Sequence, residues 1–406
     1  MPNVKTQPLP PSITTSDPGS YAWHAVAVRQ PRIIQRVMES NPLDDAARAA
    51  LEQLSRENSD GVVTSPFRNG RIGPDSLEEE ERRTWEERIK AHEGRTWFDI
   101  PWYFAEAFFY LKLLAAFGYY GGDSRDPFHP QKEQELMDEH GGLSLARHVL
   151  DSVKGMGTEE ALAFHLHCAL WGNRLDLSTF EVDESRRKNV LTRDRDQLLV
   201  DHTAESCAAL VGARRIGVLL DNAGPELVCD LLLADRMLSE SMSTSIVLHA
   251  KKAPFFVSDG TVSDTLHTVD VLAADDHPRV SAAGERLKRA LRAGRLGVQD
   301  HWFWNSALHF TAFPPDLKKE LAGFDLLILK GDANYRRTLE DRKWDPSLSL
   351  DELAAWFPAP FISLRTMKSE IVVDLSEGEA ERLSRVDPDW MTNGRRGLIR
   401  FCRIMQ

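Results

Sequence analysis

Residues 214–224 read RRIGVLLDNAG, an apolar run that ends abruptly in an aspartate, an asparagine and a glycine. The next residues, PELVCDLLLADRML at 225–238, are typical of a helix that begins at a proline and carries a glutamate in its first turn. Near-continuous apolar runs followed by helices are typical of strands that are buried on both faces of a parallel sheet. The segment therefore predicts a strand, a tight turn and a helix.

Three other segments share this pattern: TSIVLHAKK at 244–252, FDLLILKGD at 324–332 and APFISLRTMK at 359–368. Together they predict an α/β fold with a mostly parallel, doubly wound sheet flanked by helices. In such a sheet the ligand crevice lies beyond the carboxyl ends of the strands. The polar residues expected to converge there are Asp221, Lys251, Lys330, Asp332, Arg365 and Lys368.

The first half of the chain has a different texture. From Ala22 to about Leu170 apolar residues recur at the three- and four-residue spacing of helices. A polar stretch at 181–196 separates this half from the strands. We therefore predict a flexible tail at 1–20, a helical N-terminal domain at 21–195 and an α/β domain at 196–406. The helical domain is expected to cover the site, with Arg29, Trp102 or Glu106 reaching the substrate.

The composition indicates what kind of partner the protein binds. Of 406 residues, 42% are hydrophobic, enough for a large core, and the formal net charge is −12. That charge disfavours nucleic acid and an anionic membrane surface, which would repel the average surface. We expect a small-molecule partner, and the sequence indicates no protein partner.

Several features favour a cytoplasmic location. The four cysteines, Cys168, Cys207, Cys229 and Cys402, are scattered among apolar residues without a C-x-x-C pair, which predicts buried free thiols. The first 20 residues have neither the charged nor the apolar region of a signal peptide. The apolar stretch at 100–120 contains Glu106 and Lys112, so we expect a buried amphipathic helix rather than a membrane span.

The turn after the first strand carries the first candidate site residues. The side-chain oxygens of Asp221 and Asn222 are suitable ligands for a hard divalent cation such as Mg²⁺ or Mn²⁺. A simple turn and helix cap is the alternative for this segment.

A second candidate follows the aromatic run FFVS at 255–258. Asp259 could supply a third oxygen ligand, and its alternative role is to cap a helix that begins near Ser263. For that cap Asp264 is the better placed residue.

Two more polar segments follow strands. The segment KGDANYRR at 330–337 is expected to form a loop around a polyhydroxylated phosphate ester, with Lys330 and Arg336 offsetting phosphate charge and Asp332 and Asn334 bonding hydroxyls. Arg365 and Lys368 offer further positive charge. The alternatives are a solvated turn for the first segment and a surface role for the second.

Several other chemistries are disfavoured by their missing motifs. The 13 histidines form no zinc pattern, and the chain has no Walker loop and no G-x-S-x-G motif. A phospho-aspartate mechanism of the haloacid dehalogenase type would favour D-x-D after the first strand, where this chain has Asp221-Asn222-Ala223.

Taken together, these segments resemble the damage-control phosphatases, in particular the subfamily of acidic-residue-methyltransferase-like proteins. The resemblance is carried by DNAGPELVCDLLLAD from 221, FFVSDGTVSD from 255, LKGDANYRRTLEDRKW from 329 and RTMK from 365, supported by IPWYFAEAFFY from 100 and WGNRLDLS from 171. It implies a metal-dependent phosphatase that hydrolyses small phosphorylated metabolites such as sugar phosphates, fructose 1-phosphate among them. The implied metal is Mn²⁺, Co²⁺, Ni²⁺ or Mg²⁺.

The resemblance also implies roles for individual residues. Asp221, Asn222 and Asp259 match the metal ligands, and Glu226 matches a polar residue that lines the site. The substrate-binding positions are Asp221, Asn222, Lys330, Gly331, Asp332, Ala333, Asn334, Tyr335, Arg336 and Lys368. Ala333 and Pro225 depart from the family pattern, which leaves the preferred sugar open.

For the mechanism we expect direct attack of water, with Asp221 or Glu226 as general base and Asp259 as the third catalytic residue, rather than a covalent phospho-aspartate. Two other functions stay open. One is an S-adenosylmethionine-dependent protein-glutamate O-methyltransferase, disfavoured because the first loop has the single glycine Gly224. The other is a non-catalytic metabolite-binding protein, disfavoured by the intact set of acids and lysines.

Overall fold

A computed structural model describes residues 9–68, 70–122, 124–172 and 197–404 of the chain. Its sheet is formed by seven strands within these residues: β1 Leu198–Asp201, β2 Arg215–Leu219, β3 Ser245–Ala250, β4 Leu296–Asp300, β5 Leu326–Lys330, β6 Phe361–Thr366 and β7 Gly397–Cys402. Their order across the sheet is β1-β7-β6-β5-β2-β3-β4. Only the β6–β7 pair is antiparallel among the described strand pairs. The predicted mostly parallel sheet flanked by helices is confirmed.

The order of the strands fixes where a ligand crevice opens. From β2 the chain passes to β3 and β4 on one side of the sheet, and then to β5, β6 and β7 on the other side. β2 and β5 are direct neighbours in the sheet, and the loops that follow them lead in opposite directions. A parallel sheet binds its ligands at such a switch point.

Helices make up most of the remaining described chain. Before the sheet they are Tyr21–His24, Gln30–Ser40, Asp45–Asp60, Glu79–Lys90, Trp102–Phe117, His129–Met137, Gly142–Ser152 and Thr158–Trp171, with a π-helical turn at Ala25–Arg29. Between and after the strands they are Thr203–Gly212, Pro225–Ser239, Val262–Ala274, Pro278–Arg292, Pro315–Leu321, Gly331–Thr338, Leu350–Leu353 and Glu379–Val386. Short 3-10 turns lie at Tyr119–Gly121, Trp302–Asn305 and Phe310–Ala312.

The two faces of the sheet bury separate apolar cores. Alternate residues of β2 point to opposite faces, so that Val218 packs with the helix Pro225–Ser239 and Leu219 packs with Phe303 and Phe310. The helices Gly142–Ser152 and Thr158–Trp171 join the first of these cores. Because the expected helical domain at 21–195 includes both helices, the proposed boundary at 195/196 divides one core.

A third core fills the helical region before the sheet. It is centred on the helix Trp102–Phe117, of which every residue except Glu106 is buried, so this helix is enclosed rather than amphipathic as expected. Phe255, from the segment that follows β3, packs into the same core. The helical region therefore reaches the carboxyl edge of the sheet. No helix in the described residues is both long and apolar enough to span a membrane.

Residues 1–8 of the expected tail at 1–20 lie outside the described residues. Residues 9–20 are instead attached to the folded body, since the amide of Ile13 donates to the carbonyl of Asp341 and the amide of Thr15 donates to that of Ile100. The proline-rich composition that predicted flexibility does not exclude pairing of this kind, because extended backbone suits proline as well.

Candidate active site

Asp221 and Asn222 lie just beyond β2, where the chain turns into the helix Pro225–Ser239. Both side chains are buried, and the turn is completed by Gly224 with a φ of 66°, a conformation that favours glycine. The amide nitrogen of Asn222 donates to Oδ2 of Asp221 at 2.8 Å and to Oε2 of Glu226 at 2.8 Å. The amide oxygen of Asn222 accepts a hydrogen bond from the hydroxyl of Ser258. Two neighbouring acids and one hydroxyl thus fix the orientation of this amide.

The segment after β3 brings Asp259 to the same place. The amide of Gly260 donates to the carbonyl of Asp221 at 2.8 Å, and the amide of Ala223 donates to the carbonyl of Ser258 at 2.6 Å. These bonds join the two segments as a short antiparallel bridge between Asn222 and Asp259. The predicted three residues Asp221, Asn222 and Asp259 are therefore adjacent, although 259 is far from 221 in sequence.

The backbone before Asp259 is strained. Phe256 has a φ of 56° and Val257 a φ of 69°, in the left-handed region that aromatic and β-branched residues rarely adopt. Such conformations persist only where the surrounding structure holds them, and they occur often at functional sites. Sequence reasoning missed this feature, because Phe and Val carry no signal for a left-handed backbone.

The third side of the site comes from β5. Gly331 follows this strand with a φ of 78°, and a β-carbon placed on it would lie 2.0 Å from Oδ2 of Asp221. Only a glycine leaves room for the Asp221 carboxylate here. Asn334 joins the same two loops, since its amide nitrogen donates to the carbonyl of Lys330 at 2.8 Å and to that of Leu220 at 3.3 Å. The switch point between β2 and β5 is thus closely packed.

The pKa shifts of Asp221 and Asp259 show that their negative charge is poorly compensated. Burial, together with the charges of Glu226 and Asp259, raises the pKa of Asp221 well above its usual range. Burial likewise raises the pKa of Asp259 to about 6, partly offset by Lys251, whose Nζ lies 3.4 Å from Oδ2. Burial in turn lowers the pKa of Lys251. A bound cation would compensate this charge, because it favours the ionised form of each acid.

The residues present fit a hard divalent cation. Carboxylate and amide oxygens are the ligand types that Mg²⁺ and Mn²⁺ prefer. Gly331 has no side chain, so the carboxylate of Asp221 has room beside it. Within the described part of the chain, no group of three or more His, Cys, Asp or Glu side chains is arranged to hold a metal ion. The set here has only two acids, Asp221 and Asp259, and the amide oxygen of Asn222 would have to supply the third ligand.

A cavity of about 450 Å³ opens beside these residues. Asn222, Pro225, Ser258 and Lys368 line one part of it. The remaining lining comes from the helical region and the chain after it: Glu135, Asp138, His140, Gly141, Leu145 and Gly172. The volume is in the range of small-molecule sites. Sequence reasoning missed Glu135, Asp138 and His140, because solvent-exposed helix ends carry similar residues, and it also missed Ser258 in the turn before Asp259.

Lys330 was expected to contact substrate phosphate, and the structure places it elsewhere. It is 1% exposed, and its ammonium lies 3.1 Å from Oε1 of Glu226 and 3.0 Å from Oδ1 of Asp230. The same ammonium donates to the carbonyl of Ala169. These three acceptors match the three hydrogen-bond donors of a lysine. Lys330 therefore lies beneath the site with its ammonium paired inside the protein. These contacts also place Glu226 behind Asn222.

The loop expected at 330–337 is a helix, Gly331–Thr338. Its charged residues mostly bond inside the protein. Arg336 pairs with Asp341 and Glu106 and lies over the ring of Trp102 at 3.5 Å. Arg336, Trp102 and Glu106, which were expected to face phosphate or substrate, thus contact one another and are not in the described lining of the cavity. The described lining of the cavity does not include Arg29 either.

Asp332 and Tyr335 also bond inside the protein. Oδ1 of Asp332 accepts hydrogen bonds from Arg365 at 2.7 Å and from the amide of Lys368 at 3.2 Å. The hydroxyl of Tyr335 accepts from the amide of Val373. Of the remaining predicted positions, Ala333 is half-buried, whereas Lys368 is exposed and lines the cavity. Asp332 and Arg365 therefore hold the segment that presents Lys368.

The helix after Asp259 begins one residue earlier than expected. Its N-cap is Thr261, and Asp264 closes a capping box with it, so Asp264 takes part in the cap without being the cap residue. Asp259 does not cap this helix, so it remains a candidate site residue. The supporting sequence WGNRLDLS from 171 extends beyond Gly172 into residues that the structure does not describe.

Comparisons with known proteins identify relatives along most of the chain. Residues 25–383 match the family model described as the damage-control phosphatase ARMT1-like domain. Damage-control phosphatase ARMT1 of Danio rerio is 29% identical over 441 residues, covering 97% of each chain. The protein of the same name from Mus musculus is 30% identical over 436 residues, covering 97% of this chain and 98% of its own. A crystal structure of a DUF89 family protein from Pyrococcus horikoshii aligns with a TM-score of 0.48 and 17% identity, over 95% of this chain and 98% of that one.

Proposed function

The chain belongs to the ARMT1-like damage-control phosphatase family and is therefore a phosphatase, and we propose that it hydrolyses small sugar phosphates in a reaction that depends on a divalent metal ion. The observation that carries this proposal is the meeting of Asp221, Asn222 and Asp259 at the switch point of the sheet. Asn222 lines the cavity beside them, and so does Lys368. A phosphate ester needs positive charge, and a net charge of −12 supplies none on average.

In this proposal Asp221, Asn222 and Asp259 hold the cation. When bound, it would polarise a phosphoryl oxygen and lower the pKa of a nearby water. Mn²⁺, Co²⁺, Ni²⁺ and Mg²⁺ all suit oxygen ligands of this kind, and Mn²⁺ is the first to test.

The chain's own groups position the phosphate ester. Lys368 is exposed at the cavity and attracts the anion. The helices that begin at Pro225 and Gly331 start at the same edge of the sheet, and their N-terminal ends favour negative charge. Polar side chains from Glu135, Asp138 and His140 form the opposite wall, where they can bond the hydroxyls of a sugar.

Of the two candidate bases, Asp221 is the better placed. Glu226 accepts from Asn222 and pairs with Lys330, so both of its oxygens have partners. Glu226 acts by fixing the amide of Asn222.

Phosphate release from a panel of sugar phosphates, fructose 1-phosphate among them, tests the proposal, with Mn²⁺ and with chelator. We expect release that requires the metal and that is lost in Asp221→Ala. Asp276→Ala is the matched control, because Asp276 is an exposed aspartate in the turn before the helix Pro278–Arg292. Release that persists in chelator would contradict the metal dependence. Silence across the panel would contradict the sugar-phosphate substrate class.

A further inference from the structure

Lys132 connects the helical region to the loop that carries Asp259. It lies in the helix His129–Met137 and is 4% exposed. Its ammonium donates to the backbone carbonyl of Asp259 at 2.9 Å. The same ammonium pairs with Asp126 at 2.8 Å and with Asp264 at 2.7 Å. A single buried cation thus binds three groups from two parts of the chain.

The partners of Lys132 lie on both sides of the loop. Asp264 belongs to the first turn of the helix Val262–Ala274, where it accepts from the amide of Thr261 at 2.9 Å. Asp259 lies just before that helix. Lys132 therefore fixes the carbonyl of Asp259 relative to the start of the helix that follows, and leaves little freedom between them.

The other side of the loop needs such a restraint. Phe256 and Val257 hold strained positive φ angles immediately before Ser258 and Asp259. Strain of this kind persists only when neighbouring contacts hold it. Phe255 packs into the helical core. With Phe255 fixed at one end and Lys132 at the other, the loop is held in its strained form.

We propose that Lys132 is a positioning residue for the reaction, which acts by holding the Asp259 loop in the conformation that binds the metal ion. This inference rests on the proposed function. It gives the helical region a role in the active site beyond covering the cavity, because Lys132 lies in a helix before the sheet. Lys132 itself is not among the described residues that line the cavity.

Mn²⁺ affinity of Lys132→Met, measured by isothermal titration on the folded full-length protein, tests the inference. Methionine keeps most of the apolar stem and removes the three donated bonds. We expect Mn²⁺ binding to weaken by about 10- to 100-fold, the range found when residues that orient metal ligands are replaced. At saturating Mn²⁺ we expect the KM for the best sugar phosphate to change less than kcat, because the cavity wall is intact.

The matched control is Lys112→Met. Lys112 is another buried lysine of the helical region, paired with Glu57 and donating to the carbonyl of Thr64. Its loss should destabilise the fold by a similar amount while the Mn²⁺ affinity stays at the wild-type value. This comparison separates a loss of stability from a loss of positioning.

Asp264→Asn provides a second test in case Lys132→Met does not fold. The asparagine can still accept from Thr261 and removes the charge that faces Lys132, so a several-fold weaker Mn²⁺ affinity is expected. If Lys132→Met folds and binds Mn²⁺ with wild-type affinity, the positioning role of Lys132 is overturned. If that variant does not fold, wild-type Mn²⁺ affinity in Asp264→Asn overturns it. A wild-type protein that binds no Mn²⁺ would overturn the proposed metal dependence, and the positioning role of Lys132 with it.

Discussion

The carboxylate of Asp221 lies over the α-carbon of Gly331, so close that a β-carbon at residue 331 would sit 2.0 Å from Oδ2 and 2.2 Å from Cγ of Asp221. Asp221 follows β2 and Gly331 follows β5, and these strands are neighbours in the sheet. The contact therefore joins the two loops whose divergence opens the crevice. A glycine at 331 allows a buried acid to occupy the switch point.

Gly331→Ala should abolish most of the phosphatase activity. The added methyl group must displace the Asp221 carboxylate, and misplacement of a catalytic group by about 1 Å can lower the rate about 100-fold. Gly378→Ala is the matched control, because Gly378 has a φ of 76°, like the 78° of Gly331, but a β-carbon on it would meet no neighbouring atom within 4 Å. Both variants carry the same backbone strain, so only the first should lose phosphate release. Equal activity in the two variants would contradict the close contact.

Lys330→Met should destabilise the protein more than it changes substrate binding. Removal of the ammonium leaves Glu226 and Asp230 buried without their cation, and breaking a buried ion pair costs about 3–5 kcal/mol. Asp230→Asn added to this variant should recover part of the loss, because the amide carries no charge. Urea unfolding measures the free energy of unfolding, and steady-state assays measure the KM. An unchanged free energy of unfolding with a raised KM would place Lys330 at the substrate after all.

The central strands were predictable because most of their residues are apolar. The runs that gave β2, β3, β5 and β6 are buried on both faces of the sheet. The two edge strands, β1 and β4, escaped detection for a physical reason. Most residues of β1 and β4 are half-buried, so these edge strands lack the continuous apolar signal, as LGVQD in β4 illustrates.

The site was predictable to the extent that it follows strand ends. Asp221, Asn222 and Asp259 come directly after apolar segments, and the structure brings them together. Lys330 and Arg336 show the limit of this reasoning. Lys330 is the last residue of a buried strand, and Arg336 lies in the helix that follows it. The sequence does not show that Asp230, Asp341 and Glu106 lie within reach to neutralise these charges. Partners distant in sequence decide whether a charge faces the substrate or the protein interior.

Lys368→Met should weaken substrate binding without destabilising the fold. The side chain is exposed and lines the cavity, and hydrogen bonds to charged groups are worth about 1.5–3 kcal/mol, which corresponds to about a 10- to 100-fold loss in kcat/KM. Lys319→Met serves as the control, since Lys319 is an exposed lysine of the helix Pro315–Leu321. Wild-type kcat/KM in Lys368→Met would show that the phosphate lies elsewhere.

The metal-free protein should lose stability as the pH rises through the range in which Asp259 ionises. Burial raises the pKa of Asp259 from 3.8 to about 6, so between these values the folded state binds more protons than the unfolded state. The free energy of unfolding therefore falls with rising pH over this window. Below it both states are protonated, and the contribution of Asp259 to stability is constant.

Urea unfolding in chelator between about pH 4 and about pH 7 measures this effect, with Asp259→Asn as the reference because its amide stays neutral throughout. We expect the wild type to lose more stability than the variant across this range. Mn²⁺ should reverse the loss, because a cation favours the ionised carboxylates, and the stabilisation by Mn²⁺ should be larger at the upper end of the range than at the lower. Parallel pH profiles for the two metal-free proteins would show that Asp259 titrates as an ordinary exposed acid.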